Sequence, residues 1–258
     1  MKILFLGDIF GRPGREIVNE ELPKIKKEHS IDFSIANIEN AAHGKGITLK
    51  IINEMLAAGV DFFTSGNHVW RNKGTAEILD GDFPIIRPAN YPPGVAGKGY
   101  KIFTTSLGVK VLIINLMGRV FIKENLDCPF REAQKILETI PEKDYDLSIV
   151  DFHAEATSEK YALKNFLLAK VSALVGTHTH VPTADLSIEE GTAYLSDVGM
   201  CGPAKGIIGL EKETVIKQFL DQLPIRHEVA EGEKQLNAVV ISIDEKNRKA
   251  QNLEQIII

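Results

Sequence analysis

The chain is punctuated by short apolar runs, and most of them break off into polar turns. The clearest are Ile3–Leu6, Phe33–Ile38, Val60–Phe63, Leu147–Phe152, Ala173–Val175 and Ala193–Leu195. Their near-continuous hydrophobicity predicts strands buried on both faces, as in a layered α/β fold. The polar residues that follow are not random. Asp8 follows the first run, Glu39-Asn40 the second, Asn67-His68 the third, His153 the fourth, and His178-Thr179-His180 the fifth. Open α/β sheets place their sites at the carboxyl ends of strands, so five strands each deliver a potential metal ligand to such an end.

Helical signals lie between the runs. Thr48 reads as an N-cap before Ile51, Ile52, Met55 and Leu56, with Gly59 where a C-cap belongs. Thr157 or Ser158 reads as the cap of a second helix carrying Tyr161, Leu163, Phe166 and Leu167, and Glu211–Leu220 reads as a third, closed by Pro224. Arg15–Glu28 is also helical in pattern, but Pro23 inside it predicts a kink or a break. Lys101–Ser106 with Val109–Leu116, and Ala238–Ile243 with Gln251–Ile258, read as hairpins, so the sheets are expected to be mixed. No linker, repeat or low-complexity tract divides the 258 residues, 44% of them hydrophobic, and a single domain spanning 1–258 is expected. The irregular stretch Arg87–Gly99 is long enough to border a site.

A net charge of −5 argues against a broad electrostatic grip on nucleic acid or an anionic membrane, so no stable nucleic-acid complex is expected. A small nucleotide remains compatible, because bound metals supply local positive charge. Cys128 and Cys201 lie far apart, without metal-pair spacing, and read as reduced thiols. The first apolar run ends in Asp8, too short for a signal peptide or a membrane span, so a soluble, cytoplasmic protein is expected.

Taken singly, each polar strand end has an ordinary reading as a turn, a cap or a satisfied histidine. His178 and His180 carry more weight, since residues i and i+2 of an extended segment face one side and let both imidazoles converge. In conjunction, the carboxylates, amides and imidazoles offer oxygen and nitrogen ligands with no thiolate. That set suits Mn, Fe or Zn and is too large for one four-coordinate ion. It fits two ions sharing a carboxylate, about 3.5–4 Å apart, which would clamp a phosphoryl group and activate water.

At Gly7-Asp8, Gly66-Asn67-His68 and Gly-Thr-His-Thr-His at 176–180 the chain resembles the calcineurin-like metallophosphoesterase superfamily. It is more similar to the YmdB-like branch. The matches are Gly-Asp-Ile-Phe-Gly-Arg-Pro-Gly at 7–14, Asn-Ile-Glu-Asn-Ala at 37–41, Asp-Phe-His-Ala-Glu at 151–155, Gly-Thr-His-Thr-His-Val-Pro-Thr-Ala-Asp at 176–185 and Asp-Val-Gly-Met-Cys-Gly-Pro at 197–203. Phe10 stands where the wider superfamily has a histidine, and Glu39 where it has a bridging aspartate; the branch shares both changes.

The resemblance implies a four-layer α-β-β-α sandwich of two mixed sheets. It implies Asp8, Glu39, Asn40 and His180 around one metal and Glu39, Asn67, His153 and His178 around the other, with Glu39 bridging. Iron is the metal foremost implied, manganese and zinc being compatible. His68 would lie outside the coordination sphere, where an imidazolium can steady phosphoryl charge and protonate a departing alkoxide. The implied activity is hydrolysis of cyclic nucleotides, 2′,3′-cyclic nucleotides first, opened at the 2′ ester by a metal-held hydroxide, in a homo-oligomer (dimer or tetramer). The alternatives are a phosphomonoesterase of the 5′-nucleotidase kind, or a regulator that binds nucleotide or RNA without turnover. Asp151, Glu155 and Asp185 are candidate acceptors for ligand histidine N–H groups. Arg12 and His43 are expected at the surface, Cys201 in loop packing, and Trp70 in the core or at its rim.

Overall fold

Alternation along the buried strands decides the layering. In β1 (Lys2–Leu6), Ile3 and Phe5 join one apolar cluster while Leu4 and Leu6 join another. In β6 (Lys110–Met117), Val111 and Ile113 join the first of these, and Leu112, Ile114 and Leu116 a third. Strands apolar on both faces need cover on both, and the shared cluster is the interface between two sheets. The computed structural model describes residues 1–258 and resolves this into an α-β-β-α sandwich.

The first sheet has the order β14 (Lys249–Ile257), β13 (Asn237–Asp244), β1, β3 (Phe33–Asn37), β4 (Phe62–Thr64). β1, β3 and β4 are parallel, and β13 is antiparallel to both of its neighbours. The second runs β5 (Tyr100–Thr104), β6, β7 (Leu147–His153), β8 (Ala173–Thr177), β10 (Thr192–Leu195), β9 (Ser187–Glu189), parallel in its centre with antiparallel edges at β5 and β9. Both sheets are therefore mixed, and both expected hairpins form.

A small third sheet, absent from the sequence expectations, pairs β2 (Asp8–Ile9) in parallel with β11 (Met200–Pro203), which carries β12 (Lys234–Gln235) on its other edge. The outer face of the first sheet is covered by α1 (Gly11–His29), α2 (Leu49–Ala57) and α3 (Thr75–Asp80), through side chains such as Leu22, Ile52 and Leu79. The outer face of the second is covered by α4 (Pro129–Thr139) and α5 (Thr157–Leu167), through Ile136, Leu163 and Leu167. The last helix, α6 (Lys212–Asp221), buries Val215 alone. No helix is long and apolar enough to cross a membrane.

Several local expectations meet the structure directly. The Thr48 hydroxyl accepts from Ile51 N at 3.3 Å, and Gly59, with φ +103°, ends the same helix by letting Val60 N reach Met55 O at 3.1 Å. Others are corrected. The N-cap of α5 is Ala156, which makes Thr157 and Ser158 its first helical residues. Pro23 does not break α1, which runs unbroken from Gly11 to His29. The reason is exposure: Pro23 and Asn19, whose carbonyl loses its partner, both face solvent, which leaves the orphaned acceptor open to hydration. Cys201 is fully buried, its thiol donating to Asn237 O, and burial pushes that thiol up to about 12.

Restoring the missing hydrogen bond should stabilise the fold. Pro23→Ala is expected to raise the unfolding free energy by about 2 kcal/mol, the helix-propensity gain less the entropy returned to the unfolded chain. Urea unfolding followed by circular dichroism reads this, and a lowered midpoint would show that Pro23 is held by contacts outside the helix.

Candidate metal centre

The carboxyl ends of the parallel strands in the two sheets meet at one edge of the sandwich. β1 leads through Gly7 into Asp8, β3 into Glu39-Asn40, β4 into Asn67-His68, β7 ends on His153, and β8 leads into His178 and His180. Two glycines make room for the approach, Gly7 for a neighbouring backbone and Gly66 for ligand side chains. A Cβ at Gly7 would lie 2.1 Å from Gly199 O, and one at Gly66 would lie 2.3 Å from His153 Nε2 and 2.5 Å from Glu39 Oε2.

Glu39 is the hub. Its Oε1 lies 3.2 Å from His153 Nε2 and 3.3 Å from His68 Nδ1, and its Oε2 accepts from His68 N at 2.7 Å. His153 Nε2 also lies 3.0 Å from His178 Nδ1 and 3.1 Å from Asn67 Oδ1. Asn40 faces His180, amide nitrogen to Nε2, at 3.3 Å. Asp8 Oδ2 accepts from His178 N at 3.1 Å, while Asp8 Oδ1 is buried with no hydrogen-bond partner. All seven ligand candidates therefore lie in one connected centre, with His68, about one-fifth exposed, at its open side.

The reason the histidines of the His-Thr-His unit reach the centre differs from the expected one. The segment is not extended. β8 stops at Thr177, and His178 (φ 102°) and His180 (φ 64°) both occupy the left-handed region. They accordingly do not share a side: His178 faces His153, whereas His180 faces Asn40 and meets Phe10 edge-on at 5.2 Å.

The electrostatics call for positive charge. Burial pushes the Asp8 carboxyl well above its ordinary range, with Asp197 and Glu39 adding to the effect and His153 opposing it. Burial would raise Glu39 too, but the neighbouring imidazoles of His153 and His68 outweigh it and hold that carboxyl well below the usual range. For His153, burial acts downward and is overcome by the Glu39 and Asp8 charges, which raise it to about 9. Burial, helped by the His153 charge, depresses His178 to about 3, and burial also lowers His180. Both are thus neutral rings with a free nitrogen lone pair, the form a metal takes.

Ligand atoms of Glu39, His153 and His178 lie within 4.8 Å of one another. That spacing, the orphaned Asp8 oxygen and the side-chain-free cradle at Gly66 fit divalent metal ions.

The supporting residues are sorted less simply. Asp151 reaches His153 through Thr177: the threonine Oγ1 donates to Asp151 at 2.8 Å and sits 2.9 Å from His153 Nδ1. Glu155 meets His178 Nε2 at 3.1 Å. Asp185 does not reach a ligand histidine; its carboxylate accepts from Ser196 N and Oγ at 3.2 and 2.6 Å, as turn chemistry requires. His180 Nδ1 is held instead by Ile208 O at 3.0 Å.

Asn37 escaped the sequence reading, though a polar residue inside the Phe33–Ile38 run was a usable signal. Its Oδ1 accepts from Glu39 N at 3.1 Å and its amide donates toward Asp151 at 3.2 Å. Trp70 is half-buried and meets Tyr91 edge-on at 5.8 Å. The 87–99 loop lines a cavity of about 840 Å³, together with β5 and α4 and away from the metal-ligand candidates.

The model of the YmdB-like protein family matches residues 4–256. A 2′,3′-cyclic-nucleotide 2′-phosphodiesterase of Bacillus subtilis (strain 168) is 46% identical over 100% of this chain and 97% of its own. The crystal structure of a novel phosphatase from Mycoplasma pneumoniae superposes with a TM-score of 0.94 at 37% identity, covering 100% of this chain and 93% of that one. A 5′-nucleotidase precursor from Thermus thermophilus shares the fold alone, with a TM-score of 0.60 at 14% identity over 100% of this chain and 54% of that one. On the family match and the near-complete overlap with its relatives, the chain belongs to the YmdB-like family, within the metallophosphoesterase fold.

Proposed function

We propose that the chain is a two-metal phosphodiesterase that opens 2′,3′-cyclic nucleotides at the 2′ ester. The observation that carries the reading is the convergence of Asp8, Glu39, Asn40, Asn67, His153, His178 and His180 on one buried centre, with the partly exposed His68 at its mouth. The similarity to the Bacillus subtilis phosphodiesterase supports the substrate.

Asp8, Asn40 and His180 would hold one ion and Asn67, His153 and His178 the other, with Glu39 placed between the two groups. When bound, such ions supply Lewis-acid charge for phosphoryl oxygens and a source of nucleophile at neutral pH. The mixed oxygen and imidazole donors accept iron, manganese or zinc, and iron is the metal that the family resemblance implies foremost. Glu39 orients His153 on one side and His68 on the other, so metal binding and the acid at the mouth share one carboxylate. His68 is the group free to act on substrate: its backbone N–H is anchored to Glu39, and its imidazole can donate a proton to the departing 2′ oxygen. Asp151, through Thr177, fixes the far nitrogen of His153, and Glu155 that of His178. The rest of the reading is a single domain over residues 1–258 acting as a cytoplasmic homo-oligomer on small nucleotides.

Two measurements test the centre. His68→Ala should keep both metals and lose about 10²- to 10⁴-fold in turnover of 2′,3′-cyclic nucleotides, the usual range for a general acid. Unchanged turnover with full metal content refutes the role of His68. A preference for p-nitrophenyl phosphate over the bis ester in the wild type would instead favour a monoesterase, and binding without turnover a regulator. Gly66→Ala should fold yet fail to retain metal, because its Cβ falls on the ligand atoms of His153 and Glu39. Elemental analysis after gel filtration reads that outcome, and full occupancy would show the ligands lie elsewhere.

A further inference from the structure

α5 lies on the outer face of the second sheet, where a lysine ordinarily reads as a solvated side chain. Lys160 does not behave so. It is fully buried, and its stem passes Gly176, where a Cβ would lie 3.2 Å from Lys160 Cδ and 1.7 Å from Ser196 O. Its ammonium donates to Thr177 O at 3.0 Å and to Asp197 Oδ2 at 2.8 Å. Asp197, also fully buried, completes the arrangement. Its Oδ2 accepts from Thr179 N at 3.0 Å and its Oδ1 from Gly199 N at 2.9 Å, while Gly199 O accepts from Asp8 N at 3.1 Å.

The geometry points to Lys160 and Asp197 as positioning residues of the metal centre: a buried ion pair that pins the backbone between His178 and His180 and ties it to the strand carrying Asp8. Thr179 is the residue between the two histidines, and its N–H is the one Asp197 takes. Both histidines sit at positive φ, a conformation that persists only where the surroundings over-determine it. General stabilisation explains the pair poorly, since burying two charges rarely gains over an apolar pair of the same volume. Every hydrogen bond the two side chains make outside the pair goes to backbone in the ligand loop or in the turn that receives Asp8. Neither side chain touches a ligand atom, so the action runs through the backbone.

The inference rests on the metal-centre reading, and the test separates the two. Lys160→Met removes the ammonium. Asp197→Asn keeps the shape but leaves one acceptor oxygen for three donors. Leu167→Ala, at a buried site on the same helix, is the control for general loosening. Mn²⁺ binding is read by electron paramagnetic resonance, and exchange of the Thr179 amide by hydrogen–deuterium mass spectrometry on metal-free protein. Both pair variants should bind Mn²⁺ about tenfold more weakly or worse, with Thr179 exchange accelerated by a similar factor. Leu167→Ala should lower the thermal midpoint while leaving Mn²⁺ affinity within about twofold, well short of that loss. Asp197→Asn decides alone if Lys160→Met does not fold. Wild-type Mn²⁺ affinity and exchange in a folded pair variant, or an equal loss in Leu167→Ala, overturns the proposal. Failure of the wild type itself to bind Mn²⁺, with Thr179 exchange still accelerated in the variants, would sink the metal reading and leave the positioning role standing.

Discussion

Asp8 and Glu39 are carried into the protein with 0% and 1% of their surface left to water. An isolated carboxylate in such a place costs of order several kcal/mol, so the surroundings must answer it with positive charge or donors. Much of the local structure is that answer. His153 stands within 3.2 Å of Glu39, backbone N–H groups of His68 and His178 point at the two carboxylates, and one Asp8 oxygen is still left without a partner. The residual demand is the physical basis for a divalent metal, and amide and imidazole side chains gather there in place of apolar ones.

The fold meets the demand by convergence. Parallel strands of both sheets end at the same edge, so residues far apart in sequence arrive within hydrogen-bond distance. Such convergence needs closer approach than an added Cβ permits, of backbone at Gly7 and Gly176 and of the His153 and Glu39 side chains at Gly66. The helices are not only cover. α5 sends Lys160 through the layer it packs on, and the buried ion pair it forms with Asp197 reaches the histidine loop from behind.

Much of this was legible in the sequence, for definite reasons. Strands buried on both faces leave runs such as Phe33–Ile38 and Leu147–Phe152, and a strand end that carries Glu39 or His153 stands out against them. Of the kink or break that Pro23 predicted, the break does not occur, because Pro23 lies on the exposed face of α1 and exposure is a tertiary property. α4 escaped although Pro129 opens it and Phe130, Ala133, Ile136 and Leu137 recur at helical spacing; no capping side chain marks its start. Asp185, a candidate acceptor for a ligand histidine in the sequence, turns its carboxylate to Ser196 instead.

The candidate metal ligands, their placement at strand ends and the buried, mixed sheets were legible in the sequence, because hydrophobic periodicity and ligand chemistry are properties of the residues themselves; the two-sheet sandwich was implied by the family resemblance. Which histidine faces which partner was decided only by the tertiary structure. His178 and His180 reach different sides of the centre through left-handed backbone that no local rule favours, held there by Asp197 and Lys160. Long-range contact supplies that constraint. A lysine on a helix and an aspartate after a strand carry no mark in sequence of the charge they will bury together.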